Sequence, residues 1–255
     1  MPTSRITRAH VAVAGACAFA ASVTTLMGFD VSHYQTPAAA SGATFLIAKA
    51  SDGIGYRDPE YPTYRSLAQR HRLPFGAYHF LRAGNVQRQA ENAYAAIGAE
   101  VPLVVDAELG GKPSFNDLTS FVKKYRKLGG TATLLYLPRS YWEDLGRPNL
   151  EHLGISLYNA RYLSRKGDYP GNDSVAWQPY GGMKVELLQY SDGNGKLDHD
   201  AFQGTRKRLC ELLFCWDSGA HSAFPPSPLP APSVKPRKHK KPDPAHSTSS
   251  GCGPA

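Results

Sequence analysis

Two hydrophobic rhythms alternate along the chain from Gly28 onward. GFDVS (28–32), TFLIAKA (44–50), FGAYHFL (75–81), PLVVDAEL (102–109), TATLLYL (131–137) and ISLYNA (155–160) are short apolar runs bounded by turn residues, the signature of strands. Between several of them lie amphipathic stretches at 61–72, 85–98 and 114–130. The last places Phe115, Leu118, Phe121, Val122, Tyr125 and Leu128 at helical spacing, with Ser114 as N-cap and Gly129-Gly130 as the stop. Strands that alternate with helices predict an α/β fold with parallel pairing and right-handed crossovers. Near-continuous apolar strands predict burial on both faces. After residue 160 the rhythm changes. VAWQPY (175–180) and VELLQYS (185–191) have no long helix between them and predict a hairpin, and DAFQGTRKRLCELLF (200–214) predicts a closing helix.

Composition fits a folded domain with unusual ends. The 255 residues are 42% hydrophobic and 11% aromatic, enough for a sizeable core. The net charge of +8 is uneven: residues 1–27 carry +2, 218–255 carry +4, and 28–217 only +2. A basic patch on the folded part, which nucleic-acid binding would need, is therefore not expected. No apolar run reaches the roughly 18 residues of a membrane span. Residues 1–26 offer two readings: a secretory leader, with Arg5, Arg8, an apolar stretch and Ala18-Phe19-Ala20 as cleavage site, or an extension upstream of a start at Met27. Residues 218–255 form a Pro- and Lys-rich tail. Nine Pro in the 34 residues 222–255 leave too little apolar area to offset backbone entropy, so a disordered tail is expected. Its Arg237–Lys241 run could meet an anionic surface or be a solvated linker end. Cys210 and Cys215, five apart in a helical pattern, look poorly placed for a disulfide, and no metal-ligand spacing occurs, so no metal or cofactor is expected.

The chemistry is sought at the C-terminal ends of the strands, where barrels of this class hold their active residues. Asp30 ends the first strand, Asp52 follows the second, and Asp198 follows the region of the last. Asp106-Ala107-Glu108 is the sharpest feature: residues i and i+2 of a strand share a face, so both carboxylates point into one site. Like charges that close, partly desolvated, do not both ionise freely. One is expected to keep its proton at neutral pH, which is what cleavage of a glycosidic bond requires of its acid. Alone, D-x-E reads more readily as the start of a solvated loop.

It is not alone. GFDVSHYQ (28–35), IAKASDG (47–53), YRDP (56–59), GAYHF (76–80), VVDAE (104–108), LLY (134–136), LYNARY (157–162) and LLQYSDGNGKLDHDAF (187–202) occur in order. This set resembles glycoside hydrolase family 25, the Chalaropsis-type lysozymes found among phage endolysins and secreted bacterial muramidases. The resemblance spans about residues 28–217 and implies an irregular TIM-like barrel of about eight strands with fewer helices. It implies hydrolysis of the β-1,4 bond between N-acetylmuramic acid and N-acetylglucosamine in bacterial peptidoglycan, by a monomer that is secreted or released to the wall. The family's D-x-E falls on Asp106 and Glu108, with Glu108 as general acid; its first-strand Asp falls on Asp30, and its late Asp on Asp198. Tyr78, Tyr136, Gln189 and Tyr190 match positions lining the sugar groove, and Tyr158 stands where the family often has Trp. A second departure is Asp200, in place of the Asn of the usual D-x-N-x-F block; this leaves open whether Asp198 or Asp200 faces the site.

Two routes fit these residues. Glu108 protonates the bond oxygen while Asp106 steadies the substrate N-acetyl group, or Asp30 or Asp198 activates a water for inversion. His33 and His79 read first as structural, Asp52 as a turn former, Lys49 as partner to a site acid, and Trp142 and Trp177 as core. Two rival classes are a non-catalytic wall-binding module on the same barrel and a chitin-acting barrel glycosidase; the latter's D-x-x-D-x-D-x-E run is not matched by Leu103-Val104-Val105 ahead of Asp106.

Overall fold

The computed structural model describes residues 25–164 and 167–216; the tail, and the leader apart from Thr25 and Leu26, lie outside the described residues. Strand β1 (Thr25–Val31) is followed by β2 (Leu46–Asp52), a two-residue β3 (Tyr56–Arg57), α1 (Tyr61–His71), β4 (Phe75–Phe80), α2 (Val86–Ile97) and β5 (Leu103–Asp106). Then come α3 (Phe115–Lys127), β6 (Ala132–Tyr136), α4 (Arg139–Asp144), β7 (Ser156–Ala160), β8 (Val185–Ser191), β9 (Asp198–Gln203) and α5 (Arg206–Leu212). The sheet order β1-β9-β8-β7-β6-β5-β4-β2 closes through a parallel β1–β2 pair, giving an eight-stranded barrel with β3 appended to β2. Six pairings are parallel; β9 alone runs against both its neighbours, β8 and β1. The expected irregular TIM-like barrel with few helices is the fold observed.

Helix boundaries follow local chemistry. Ser114 caps α3 by accepting from the Asp117 amide at 3.1 Å, while the Asp117 carboxylate takes the Ser114 amide at 2.9 Å, a reciprocal capping box. Gly129 follows the helix at φ +94°, a left-handed turn that costs a glycine nothing.

Three expectations are corrected. The closing helix does not begin at 200: residues 198–203 form β9, and α5 starts only after Thr205, whose Oγ1 accepts from the Arg208 amide at 3.1 Å. Asp-His-Asp-Ala-Phe-Gln alternates with period two, and β9 closes the gap between β8 and β1, so barrel closure overrides the helical reading. The hairpin partner of β8 is thus β9. VAWQPY instead forms a short 3-10 turn at Val175–Trp177 and a single bridge from Tyr180 to Met183. The third correction is a disulfide between Cys210 and Cys215, with Cα atoms 5.4 Å apart. The helix stops at Leu212, Leu213 is extended (φ −120°, ψ 158°), and the reversed chain brings Cys215 back beside α5.

Two apolar layers result. Alternate strand residues such as Leu46, Ala48, Leu103, Val105, Leu135 and Leu157 face outward into the helices. The others, Phe45, Ile47, Val104, Leu134, Leu187 and Phe202, fill the barrel, and Leu209, Leu212 and Leu213 of the α5 segment plug its floor. Gly28 makes room for the Phe45 ring, which a Cβ there would strike. Each such buried side chain contributes about 1.5–3 kcal/mol.

Candidate active site

Alternation carries straight to the mouth. In and beyond β5, Val104 is inside, Val105 and Ala107 outside, so Asp106 and Glu108 fall on the inner face two residues apart. The strand geometry persists past Asp106, because the Ala107 amide still bonds the Tyr136 carbonyl at 2.9 Å. A tight turn then anchors Glu108: its carbonyl accepts from the amides of Gly111 and Lys112, both at 3.0 Å. Only glycine fits at 111, since a Cβ would overlap the carbonyl oxygen of Leu81.

Asp30 enters from β1 and Asp198 from β9, opposite each other in register. Because β9 is antiparallel, its first residues lie at the same mouth as the last residues of the parallel strands. Two tyrosines register the convergence. Burial pushes the Tyr78 hydroxyl well above its usual value, and the charges of Asp30, Asp106, Asp58 and Asp198 push it further. Burial does the same to Tyr136, helped by Glu108, Tyr162, Asp106 and Asp30. Four acids expected from sequence, Asp30, Asp106, Glu108 and Asp198, therefore surround two phenols that stay protonated as hydrogen-bond donors.

Beneath them lies an ordered polar layer. Gln189 is 1% exposed; its Nε2 donates to Asp30 Oδ2, while its Oε1 accepts from Tyr136 Oη at 2.9 Å and Tyr162 Oη at 2.6 Å. Tyr158 Oη reaches Asp200 Oδ1 at 2.6 Å and Asp30 Oδ2 at 3.1 Å, and its ring meets Tyr136 edge-on at 4.9 Å. Asp198 and Asp200 sit two apart on β9: Asp198 lies at the mouth, in register with Asp30, and Asp200 is one layer deeper and fully buried.

Tyr190 stands elsewhere. As the neighbour of inward Gln189 it faces outward, packed against Tyr169 at 5.4 Å and His199 at 5.9 Å. His79 also faces outward, stacked on Phe121 at 5.0 Å and bonded to Ser51 Oγ at 2.8 Å; burial lowers its pKa to about 4. His33 sits at the rim with Nδ1 2.7 Å from Asp58 Oδ2 and 2.9 Å from Tyr56 Oη. Lys49 and Arg82 both hold Asp52, Lys49 Nζ at 3.3 Å and Arg82 Nη2 at 2.9 Å, so Asp52 is an ion-pair anchor. Tyr61, Tyr64 and Trp177 are core. Tyr162 was not singled out from the sequence, although it closes the LYNARY block that flagged Tyr158. Among the described residues no cluster of three or more His, Cys, Asp or Glu is arranged for a metal ion.

A barrel with four carboxylates at one mouth invites comparison with known hydrolases. The model of the family described as Glycosyl hydrolases family 25 matches residues 29–193. The chain belongs to that family. It is similar to the N,O-diacetylmuramidase of Chalaropsis sp, 28% identical over 211 residues that cover 69% of this chain and 97% of that protein. Among solved structures it resembles the muramidase from Trichobolus zukalii (29% identity, TM-score 0.59, 74% of this chain and 98% of that one). It shares its fold with the family 25 lysozyme from Aspergillus fumigatus (24% identity, TM-score 0.61, 74% and 99% coverage). Membership in family 25 makes the chain a glycoside hydrolase of lysozyme type.

Proposed function

We propose that this family 25 hydrolase is an N-acetylmuramidase that cleaves the β-1,4 bond between N-acetylmuramic acid and N-acetylglucosamine in bacterial peptidoglycan. The observation that carries the reading is the convergence of Asp30, Asp106, Glu108 and Asp198 around Tyr78 and Tyr136 at one barrel mouth. Four acids, close-set and walled by aromatic rings, exceed what sugar binding requires. They suit a reaction that needs one held proton and stabilisation of an oxocarbenium-like charge. Glu108, on its anchored turn, is the general acid. Asp106, on the same inner face, orients the N-acetyl group, whose carbonyl oxygen attacks the anomeric carbon as the leaving oxygen takes the Glu108 proton. Asp30 and Asp198 complete the negative field. Tyr78, Tyr136 and Tyr158 wall the groove beneath the sugar. The disulfide supports action in an oxidising compartment, outside the cytosol.

The test is clearance of purified cell walls with analysis of the new reducing ends. Muramic acid at the new end, lost in Glu108→Gln, supports the reading. Glucosamine at the new end makes the chain a different wall glycosidase, and wall binding without any new ends makes it a binding module.

A further inference from the structure

The bridge beneath the mouth has a proton count that the reaction alone does not explain. The Tyr158 hydroxyl lies within hydrogen-bond distance of two carboxylates, Asp200 at 2.6 Å and Asp30 at 3.1 Å. A phenol brings one proton, so two full bonds need a second, from a carboxyl. The surroundings choose which. Asp30 is also buried, at 8% exposure, but its Oδ2 accepts from Gln189 Nε2 as well, and that second donor favours its charged form. Asp200 is 0% exposed, one layer deeper, two residues along β9 from the buried Phe202 ring. Burial favours its neutral form.

The charged and titratable groups around the bridge are consistent with that choice. From β1 comes Asp30, from β7 Tyr158, and from β9 itself Asp198, all adding negative charge or a phenol. From β6 comes Tyr136, against the Tyr158 ring, and from β4 Tyr78, in the field of Asp30. From β8 comes Tyr190, an outward-facing phenol that brings no cation to Asp200. His199, between the two β9 acids, turns outward to Phe29 and Tyr190. The cation of β2, Lys49, is engaged with Asp52.

We propose that Asp200 is a positioning residue for Asp30: as a neutral carboxylic acid it donates to Tyr158 Oη, which turns the phenol proton onto Asp30 Oδ2. Asp30 is thereby held ionised and fixed in rotamer between Tyr158 and Gln189. On the alkaline side Asp200 loses its proton, the phenol proton swings to Asp200, and Asp30 loses the Tyr158 donor. An Asn at 200, as in the usual family block, supplies an N–H donor at the same place, so the neutral acid here acts as its stand-in. The proposal rests on the reading of Asp30 as a member of the reacting acid set, but its proton count can be read without any turnover.

Infrared difference spectroscopy, wild type minus Asp200→Asn near neutral pH, should show the carbonyl stretch of one protonated carboxylic acid, disappearing as pH is raised. Wild type minus Asp30→Asn should lack it. The reverse pattern, or no such band in either difference, overturns the proposal even if the enzyme cleaves walls as expected. In turnover, Asp200→Leu should lower kcat about tenfold, one hydrogen bond's worth, with KM little changed. Asp200→Asn should recover most of that loss and remove one ionisation from the alkaline limb of the wild-type profile. An Asn variant no better than Leu, with both melting as wild type, counts against Asp200 as a donor. If neither wild type nor variants cleave walls while the infrared band appears as described, the functional reading fails and the proton assignment stands.

Discussion

The floor and the mouth of this barrel are built by the same strands, one interior step apart. On β2 the inward residue changes from Ile47 to Lys49, on β5 from Val104 to Asp106, on β6 from Leu134 to Tyr136, and on β8 from Leu187 to Gln189. On β9, which runs the other way, Phe202 gives way to Asp200 and then Asp198. A move of two residues, less than 7 Å along a strand, takes the interior from a dry apolar plug to a bonded polar layer and then to carboxylates. The floor can lower the free energy of folding without regard to chemistry. The mouth gathers like charges at a cost that only the reaction justifies. Substitutions at the two ends should therefore separate activity from stability.

The sharpest break is Glu108→Gln. Loss of the proton donor should lower turnover on purified walls by roughly 10²–10⁴-fold, with the melting temperature little changed, since the amide replaces a carboxylic acid that already holds its proton. A variant with near wild-type turnover removes Glu108 from the role of acid. The opposite result is expected at the floor. Phe45→Ala empties the space beside Gly28 and should cost about 3–5 kcal/mol, seen as a lower denaturant midpoint. The kcat of the molecules still folded should stay within about twofold, well under one hydrogen bond's effect on a barrier. Comparable losses of kcat in both variants would dissolve the distinction between the two ends.

The mouth was more legible in the sequence than the closure that makes it. Asp106 and Glu108 could be placed on one face because a period of two is local, and the family blocks brought Asp30 and Asp198 to the same end. The same rule applied to Gln189 and Tyr190 would have split them: neighbours on a strand face opposite ways, and only Gln189 looks inward. What stayed hidden depended on long-range pairing. Residues 200–203 look helical until β8 and β1 are seen to need a strand between them. The Cys210–Cys215 bridge could not be read while the helix was drawn through Phe214, because its premature end at Leu212 is set by docking on the barrel floor. The depth of Asp200, and hence its bond to Tyr158, followed from β9 and was out of reach for the same reason.

A third prediction concerns the outer layer, where a titratable group serves the fold and not the reaction. His79 is buried between the sheet and α3, and burial lowers its pKa to about 4 from an unfolded value of 6.5. Below pH 6.5 the unfolded chain takes up a proton that the folded one refuses, so stability is lost as pH falls from about 6.5 to about 4, by up to about 3 kcal/mol. His79→Gln, which cannot charge, should flatten that acid limb of the melting temperature, although it lowers the plateau above it. An acid limb as steep in the variant as in the wild type assigns the loss to the carboxylates of the mouth instead.

The smallest effect is expected at the disulfide, although it is the one covalent tie of the floor. Cys210 lies in α5, whose Leu209 and Leu212 plug the barrel, and Cys215 follows Phe214, which pairs with Phe75 at the start of β4 through two backbone bonds of 2.8 Å. The bridge thus joins the plug to the segment paired with the floor end of β4. The loop it closes is short, with a sequence separation of 5, so the chain entropy it removes from the unfolded state is at the low end, about 2 kcal/mol. Reduction, or the Cys210→Ser/Cys215→Ser pair, should lower the melting temperature by roughly 4–8 °C. Wall hydrolysis at 25 °C should be unaffected by either treatment. A loss of activity that precedes melting in the reduced protein would mean that the plug and the acid-lined mouth are coupled through the barrel interior, and the separation of the two ends would fail there.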